Sequence, residues 1–240
     1  DTDRSRGLVD VYKRQVYTVD LLGCGRSDKS SITYTNFVYV QMISDFIKKI
    51  IGQKTDVIAS GFSGSFVTMA CHNEKELFNK IMLVNPPSLT QLKQMPNRKD
   101  RLLKAALEIP IFGTLVYHMI VSRDNINNLF IEKMYYNPFH VDNQMADAYY
   151  EAAHKGGYYT RFLYSSLAAK YININICHAL KALDNSIYIV EGETEPNGKA
   201  VTDDYCASNP AIEVSVLKET KHLPHVEAPE AFLEQVKIFF

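Results

Sequence analysis

The 240-residue chain reads as an α/β architecture: a mostly parallel sheet interrupted by an inserted all-helical cap. Three observations predict it. Short β-branched runs alternate with amphipathic helical stretches at both ends of the chain. The stretch between them, residues 88–182, holds no strand pattern. Small-residue turns follow the strand-like runs, as strand–loop–helix units require.

Residues 16–21 (VYTVDL) are expected to form the first strand, and a glycine pair stops it. Over 36–51, Phe37, Val40, Ile43, Phe46, Ile47 and Ile50 fall on one helical stripe, with Asn36 placed to cap it and Gly52 to end it. Residues 56–59 read as a buried strand, 66–73 as a helix and 80–84 as a strand halted by Pro86 and Pro87. The cap then reads as helices over 99–108, 112–121, 125–134, 143–154, 159–171 and 174–183, punctuated by Pro110, Pro138 and Gly156-Gly157. Alternation resumes with a strand at 186–190, a helix at 201–208, a strand at 212–216 and a closing helix at 227–240. The expected core is therefore 16–87 plus 183–240, with the cap over 88–182.

Charge and cysteines narrow the function classes. Twenty-six basic and 27 acidic residues leave a net charge of -1, so nucleic acid is not an expected partner. No apolar run reaches the roughly 18 residues of a membrane span. The four cysteines show neither CxxC nor zinc spacing, so no metal is expected. Reduced, mostly buried thiols fit a cytoplasmic protein.

The first fifteen residues stand apart. Residues 10–15 (DVYKRQ) can be encoded by GATGTGTATAAGAGACAG, which resembles a transposon end used in sequencing libraries. Residues 1–15 are accordingly expected to be a non-native, adapter-derived tail.

Four motifs carry chemistry. Asp20-Leu21-Leu22-Gly23-Cys24-Gly25-Arg26-Ser27 places two glycines in a sharp turn after a strand. Ser60-Gly61-Phe62-Ser63-Gly64-Ser65 lies between a strand and a helix, where small residues allow close approach. Glu191-Gly192-Glu193-Thr194-Glu195-Pro196 follows the strand at 186–190. Lys221-His222-Leu223-Pro224-His225-Val226-Glu227-Ala228-Pro229-Glu230 opens the last helix. Together these resemble the α/β-hydrolase fold family, over residues 16–240. The first is similar to its D-x-x-G-x-G-x-S segment, the second to its nucleophile elbow, and the last to its G-H-x-P-x-x-E-x-P-E histidine segment, with Lys221 in place of glycine.

What the resemblance implies is a Ser-His-acid site. His222 matches the general base, and Glu195 occupies the slot of the acid that orients it. His225 is expected to be a surface residue. The elbow departs from G-x-S-x-G. An ungapped reading puts Gly61 at the serine position, with Ser63 and Gly64 at small positions. A shift by two makes Ser63 the nucleophile and Gly64 an oxyanion amide, with Phe66 where a small residue is usual. Ser60 is a third choice. Elbow residues are thus Gly61, Phe62 and Gly64. No elbow carboxylate is present for dehalogenase or epoxide-hydrolase chemistry.

The leading expectation is a hydrolase of an ester or similar bond in a small, fairly hydrophobic substrate, with Ser63, His222 and Glu195 as its triad. No cofactor is expected, and the oligomeric state is open. The rival is a non-catalytic binder of a small ligand beneath the cap. Nine of fifteen tyrosines lie between Tyr117 and Tyr171, and some are expected to line that pocket. The resemblance also implies a chain truncated at its N-terminal strands, by roughly 60 residues at ordinary element sizes. An unpaired internal strand edge then predicts that this chain alone folds poorly and is inactive.

Overall fold

The computed structural model describes residues 15–141 and 143–240; the expected tail at 1–15 lies almost wholly outside the described residues. Its centre is a four-stranded, all-parallel sheet in the order β1 (Thr55–Ser60), β2 (Phe78–Val84), β3 (Ile187–Gly192), β4 (Glu213–Leu217). Parallel neighbours need crossovers, and helices supply them. Ahead of β1 runs α1 (Asn36–Phe46), and α2 (Phe62–Asn73) links β1 to β2. The chain between β2 and β3 is helical: α3 (Leu89–Leu92), α4 (Arg98–Glu108), α5 (Pro110–Ile120), α6 (Arg123–Leu129), α7 (Asn143–His154), α8 (Thr160–Ala168) and α9 (Cys177–Ala182), with short 3-10 and π turns between some of them. Beyond β3 come α10 (Gly198–Ser208), then β4, α11 (Pro224–Glu227) and α12 (Pro229–Phe239).

Side chains alternate across the pleat, and both faces of the inner strands are covered. Phe78, Ile81 and Leu83 of β2 point with Ile187 and Ile189 of β3 into the larger core, against Tyr39, Phe66, Val67, Leu180 and Tyr205. Met82, Val84, Tyr188 and Val190 point the other way, onto Leu217 and Phe232. That second layer does not reach β1: Ile58, paired with Met82, stays 46% exposed.

Several expectations change. Residues 15–20 form no strand, and β1 is the sheet edge among the described residues. The β-rich composition of 16–21 is a local preference only, and a strand forms where a neighbour takes up its backbone groups. The turn after it stands on its own. Asp20 accepts from the Arg26 amide (2.9 Å) and its carbonyl from the Ser27 hydroxyl (2.6 Å), and a Cβ on Gly25 would lie 2.4 Å from the Asp20 carboxylate.

The buried face of α1 runs through Tyr39, Val40 and Ser44 and on to Ile47, leaving Phe37 77% and Ile50 61% exposed on its rim. Thr35, not Asn36, is the N-cap, and the Asn36 side chain instead donates to the Asn173 carbonyl at 2.6 Å. The last helix is broken into α11 and α12 because Pro224 and Pro229 each start a new first turn. Among the thiols only Cys71 is buried, and Cys24 is exposed. Among the described residues no single helix is long and apolar enough to cross a membrane; α4 and α5 pass that test only together, across a 96° bend.

Tyr39 joins these layers. Its ring stacks on Phe66 (centroids 4.9 Å apart) and its hydroxyl donates to the Leu22 carbonyl at 3.0 Å. Tyr39→Phe should keep the packing and strip that carbonyl of its donor, a loss of about 1 kcal/mol in urea unfolding.

Candidate functional site

The turn between β1 and α2 is one residue long. Gly61 occupies it at φ 57°, ψ -133°, and its amide donates to the Val84 carbonyl at 2.9 Å. This is a backbone region that side-chain-bearing residues enter only under strain. The helix begins at Phe62, earlier than the sequence pattern suggests. Gly64 explains the tightness: a Cβ there would meet Leu83 Cδ2 at 3.1 Å.

Gly61 therefore stands at the corner of the turn, as in the ungapped alignment. Ser63 is in the first turn of α2, where its hydroxyl donates to the Ser60 carbonyl at 2.6 Å. Ser65 likewise donates to the Phe62 carbonyl at 2.7 Å.

The acid and the histidine come from loops after β3 and β4. Glu195 Oε1 lies 3.1 Å from His222 Nδ1. A proton on Nδ1 donated to that carboxylate leaves Nε2 as the free lone pair. The two loops are tied together, since the Thr194 amide (3.1 Å) and hydroxyl (3.0 Å) both donate to the Thr220 carbonyl. They also pass so closely that a Cβ on Gly192 would sit 1.9 Å from the Lys221 carbonyl oxygen.

Asn85, just past β2, locks this arrangement. Its Nδ2 donates to the carbonyls of Lys221 (2.8 Å) and His222 (2.9 Å), and its Oδ1 accepts from the Gly192 amide (3.0 Å). Asn85 is 5% exposed and itself sits at φ 42°. From the cap side, the Glu227 carboxylate accepts from the Lys221 (2.7 Å) and Tyr136 (2.6 Å) amides, and the His222 amide donates to the Met134 carbonyl (3.1 Å). Leu223 packs into the cap cluster of Ile126, Phe130 and Tyr135.

A cavity of about 360 Å³ opens over this junction. Gly61, Phe62, Asn85, Glu191, Glu195 and His222 all line it, joined by Pro86, Pro87, Gln91, Asn197 and Val201. The turn at residue 61 and the histidine thus share one rim of the sheet. Neither Ser60 nor Ser63 contributes to the lining, and neither does Gly64.

The expected aromatic lining is also corrected: no cap tyrosine faces this cavity. Tyr117 packs edge-on against Tyr164, and Phe130 against Tyr135 and Tyr149. These rings pack against one another in edge-on and tilted contacts, away from the cavity lining. His225, expected at the surface, is half-buried. It packs near Phe232, and burial first, then His222, holds its imidazole below the usual histidine range. Among the described residues no group of three or more His, Cys, Asp or Glu side chains is arranged to hold a metal ion.

Sequence reasoning passed over Asn85, and named Glu191 only as part of the loop motif, without a role. A polar residue directly after an apolar strand and before two prolines was a usable signal for the first. The second ends an otherwise apolar β-run, which was the signal available for a buried carboxyl.

Residues 4–235 match the family model described as "Alpha/beta hydrolase family". A comparison with curated proteins yields no match. Among solved structures, the chain superposes on a bromoperoxidase from Bacillus anthracis with a TM-score of 0.70 at 11% identity, over 92% of this chain and 79% of that one. A meta-cleavage product hydrolase from Pseudomonas fluorescens IP01 gives 0.69 at 17% identity, over 92% and 77%. An esterase from Exiguobacterium antarcticum gives 0.68 at 13%, over 92% and 79%. At these identities the likeness is one of fold.

Proposed function

The chain belongs to the alpha/beta hydrolase family, and from that premise we propose that it takes up a small molecule in the cavity between Gly61 and His222 without forming a covalent acyl-enzyme. The observation that carries this reading is Gly61 itself, at the corner where the family's nucleophile is presented. A glycine there has no group to attack with. Ser63, the sequence's favoured nucleophile, lies outside the cavity lining and directs its hydroxyl to the Ser60 carbonyl. A Ser63-His222-Glu195 triad is for that reason the weaker reading.

A fluorophosphonate probe tests this. The folded chain should carry no adduct on Ser60 or Ser63, and an adduct on Ser63 that scales with esterase turnover would overturn the proposal. Ser63→Ala should shift stability by only about 1 kcal/mol, as for one lost side-chain hydrogen bond, and leave ligand uptake unchanged. Uptake is read from the imidazole resonances of His222 during ligand titration.

The His222–Glu195 pair favours a second reading. With Nδ1 held by Glu195, Nε2 can take a proton from water as its oxygen attacks an ester carbonyl, then return that proton to the departing alkoxide. Ester and water go to acid and alcohol with no covalent intermediate. Slow turnover abolished by His222→Ala, without labelling, would distinguish this from binding alone.

A further inference from the structure

Glu191 is the last residue but one of β3 and is only 6% exposed. Gly198 fits against it so closely that a Cβ would meet Glu191 Oε1 at 1.8 Å. Its other oxygen, Oε2, is buried without a hydrogen-bond partner. Glu195 repeats the pattern: Oε1 meets His222, while Oε2 is buried and unpartnered. Both carboxyl groups line the same cavity, and no lysine or arginine lines it with them. A second, more open hollow shares both glutamates and adds Glu193 and the exposed Lys199.

Two buried acceptors without donors are costly, and the cost rises when both can carry charge. The family's triad uses one acid, so Glu191 is surplus to it. Burial, foremost, and the nearby carboxylates of Glu195 and Asp203 raise the Glu191 pKa, with a Thr202 hydrogen bond opposing them. A cation seated between the two glutamates would satisfy both oxygens and relieve the repulsion. Beside this acidic end Phe62, Pro86, Pro87 and Val201 give apolar surface, interspersed with the polar Ser88, Gln91 and Asn197.

Building on the cavity reading above, we propose that the ligand is a small primary amine with an apolar body, its ammonium group held by Glu191 Oε2 and Glu195 Oε2. An ammonium brings three donors and no acceptor, which suits a site that offers orphaned acceptors. The apolar body lies along Phe62 and the two prolines. Neutral isosteres would fill the same volume and leave the carboxyl groups unneutralised.

The test titrates the full chain with 2-phenylethylamine, 2-phenylethanol and 3-phenylpropionate, followed by calorimetry. The amine should bind at least tenfold more tightly than the alcohol, and the acid should bind weakest. Glu191→Gln should bring amine affinity down to that of the alcohol. Alcohol binding equal to amine binding would overturn the charge assignment alone and leave the cavity reading standing. Failure of all three probes to bind would bring down both. If Glu191→Gln does not fold, the ranking of the three probes on the unaltered chain decides the matter.

Discussion

Gly61→Ser should convert an unreactive chain into one that a fluorophosphonate labels at residue 61. The corner already has the strained conformation that presents a nucleophile, with φ 57° and ψ -133°. A Cβ there would have nothing within 4 Å, so the side chain enters open space in the cavity. His222, with its Nδ1 on Glu195, lines that cavity and can accept the hydroxyl proton. The Phe62 amide, at the start of the twelve-residue α2, lies where an oxyanion donor is needed. Placing a side chain at positive φ carries a strain of about 1–3 kcal/mol, so the variant should also unfold at lower denaturant. Mass spectrometry of the labelled peptide reads the gain, and a urea titration reads the loss. A folded variant that stays unlabelled would mean that His222 does not address the corner, and the site as described would fail.

Asn85→Ala should be among the most damaging single changes at the site. One buried side chain satisfies three backbone groups on two loops. Truncation orphans the Gly192 amide and removes a donor from two carbonyls, each loss worth about 1 kcal/mol or more when buried. A drop of about 3 kcal/mol is expected in urea unfolding, deepened somewhat because alanine, which tolerates the left-handed region less well than asparagine, would also have to hold φ 42°. Since Asn85 fixes the backbone of His222, His222 imidazole resonances should broaden or shift in the variant even under conditions where it is folded. Asn85→Asp keeps the acceptor for Gly192 but turns a buried carboxylate oxygen toward the Lys221 and His222 carbonyls, so it should be no more stable than the alanine variant. Equal stability of all three would show that these hydrogen bonds are replaced by water at no net loss.

How much of this was legible in advance varies from element to element. The strands at β2 and β3 could be read because each is an apolar run bounded by turn residues, and burial on both faces demands that composition. The histidine and acid loops could be read because their residues resemble, at matching positions after the strands, the motifs of the α/β-hydrolase family. The strand expected at 16–21 could not be judged locally, because β structure depends on a neighbour outside the segment. The split of the closing helix followed from Pro224 and Pro229, and the pattern over 227–240 had spanned the second without giving it weight.

The sequence by itself determined the class of fold and the four strand-and-turn positions of the sheet, and its resemblance to the family's motifs pointed to His222 and Glu195. The fold class and the strand positions are properties of composition and local period, which a linear chain carries in full. Tertiary structure alone decided which residue stands at the corner. Two alignments of the elbow were equally writable, and only the backbone angles at Gly61 and the inward hydroxyl of Ser63 separate them. It also decided that Asn85 and Glu191 belong to the site. Their roles come from what approaches them across the sheet, and distances between segments more than a hundred residues apart in the chain, such as Asn85 and His222, are set only when the strands pair.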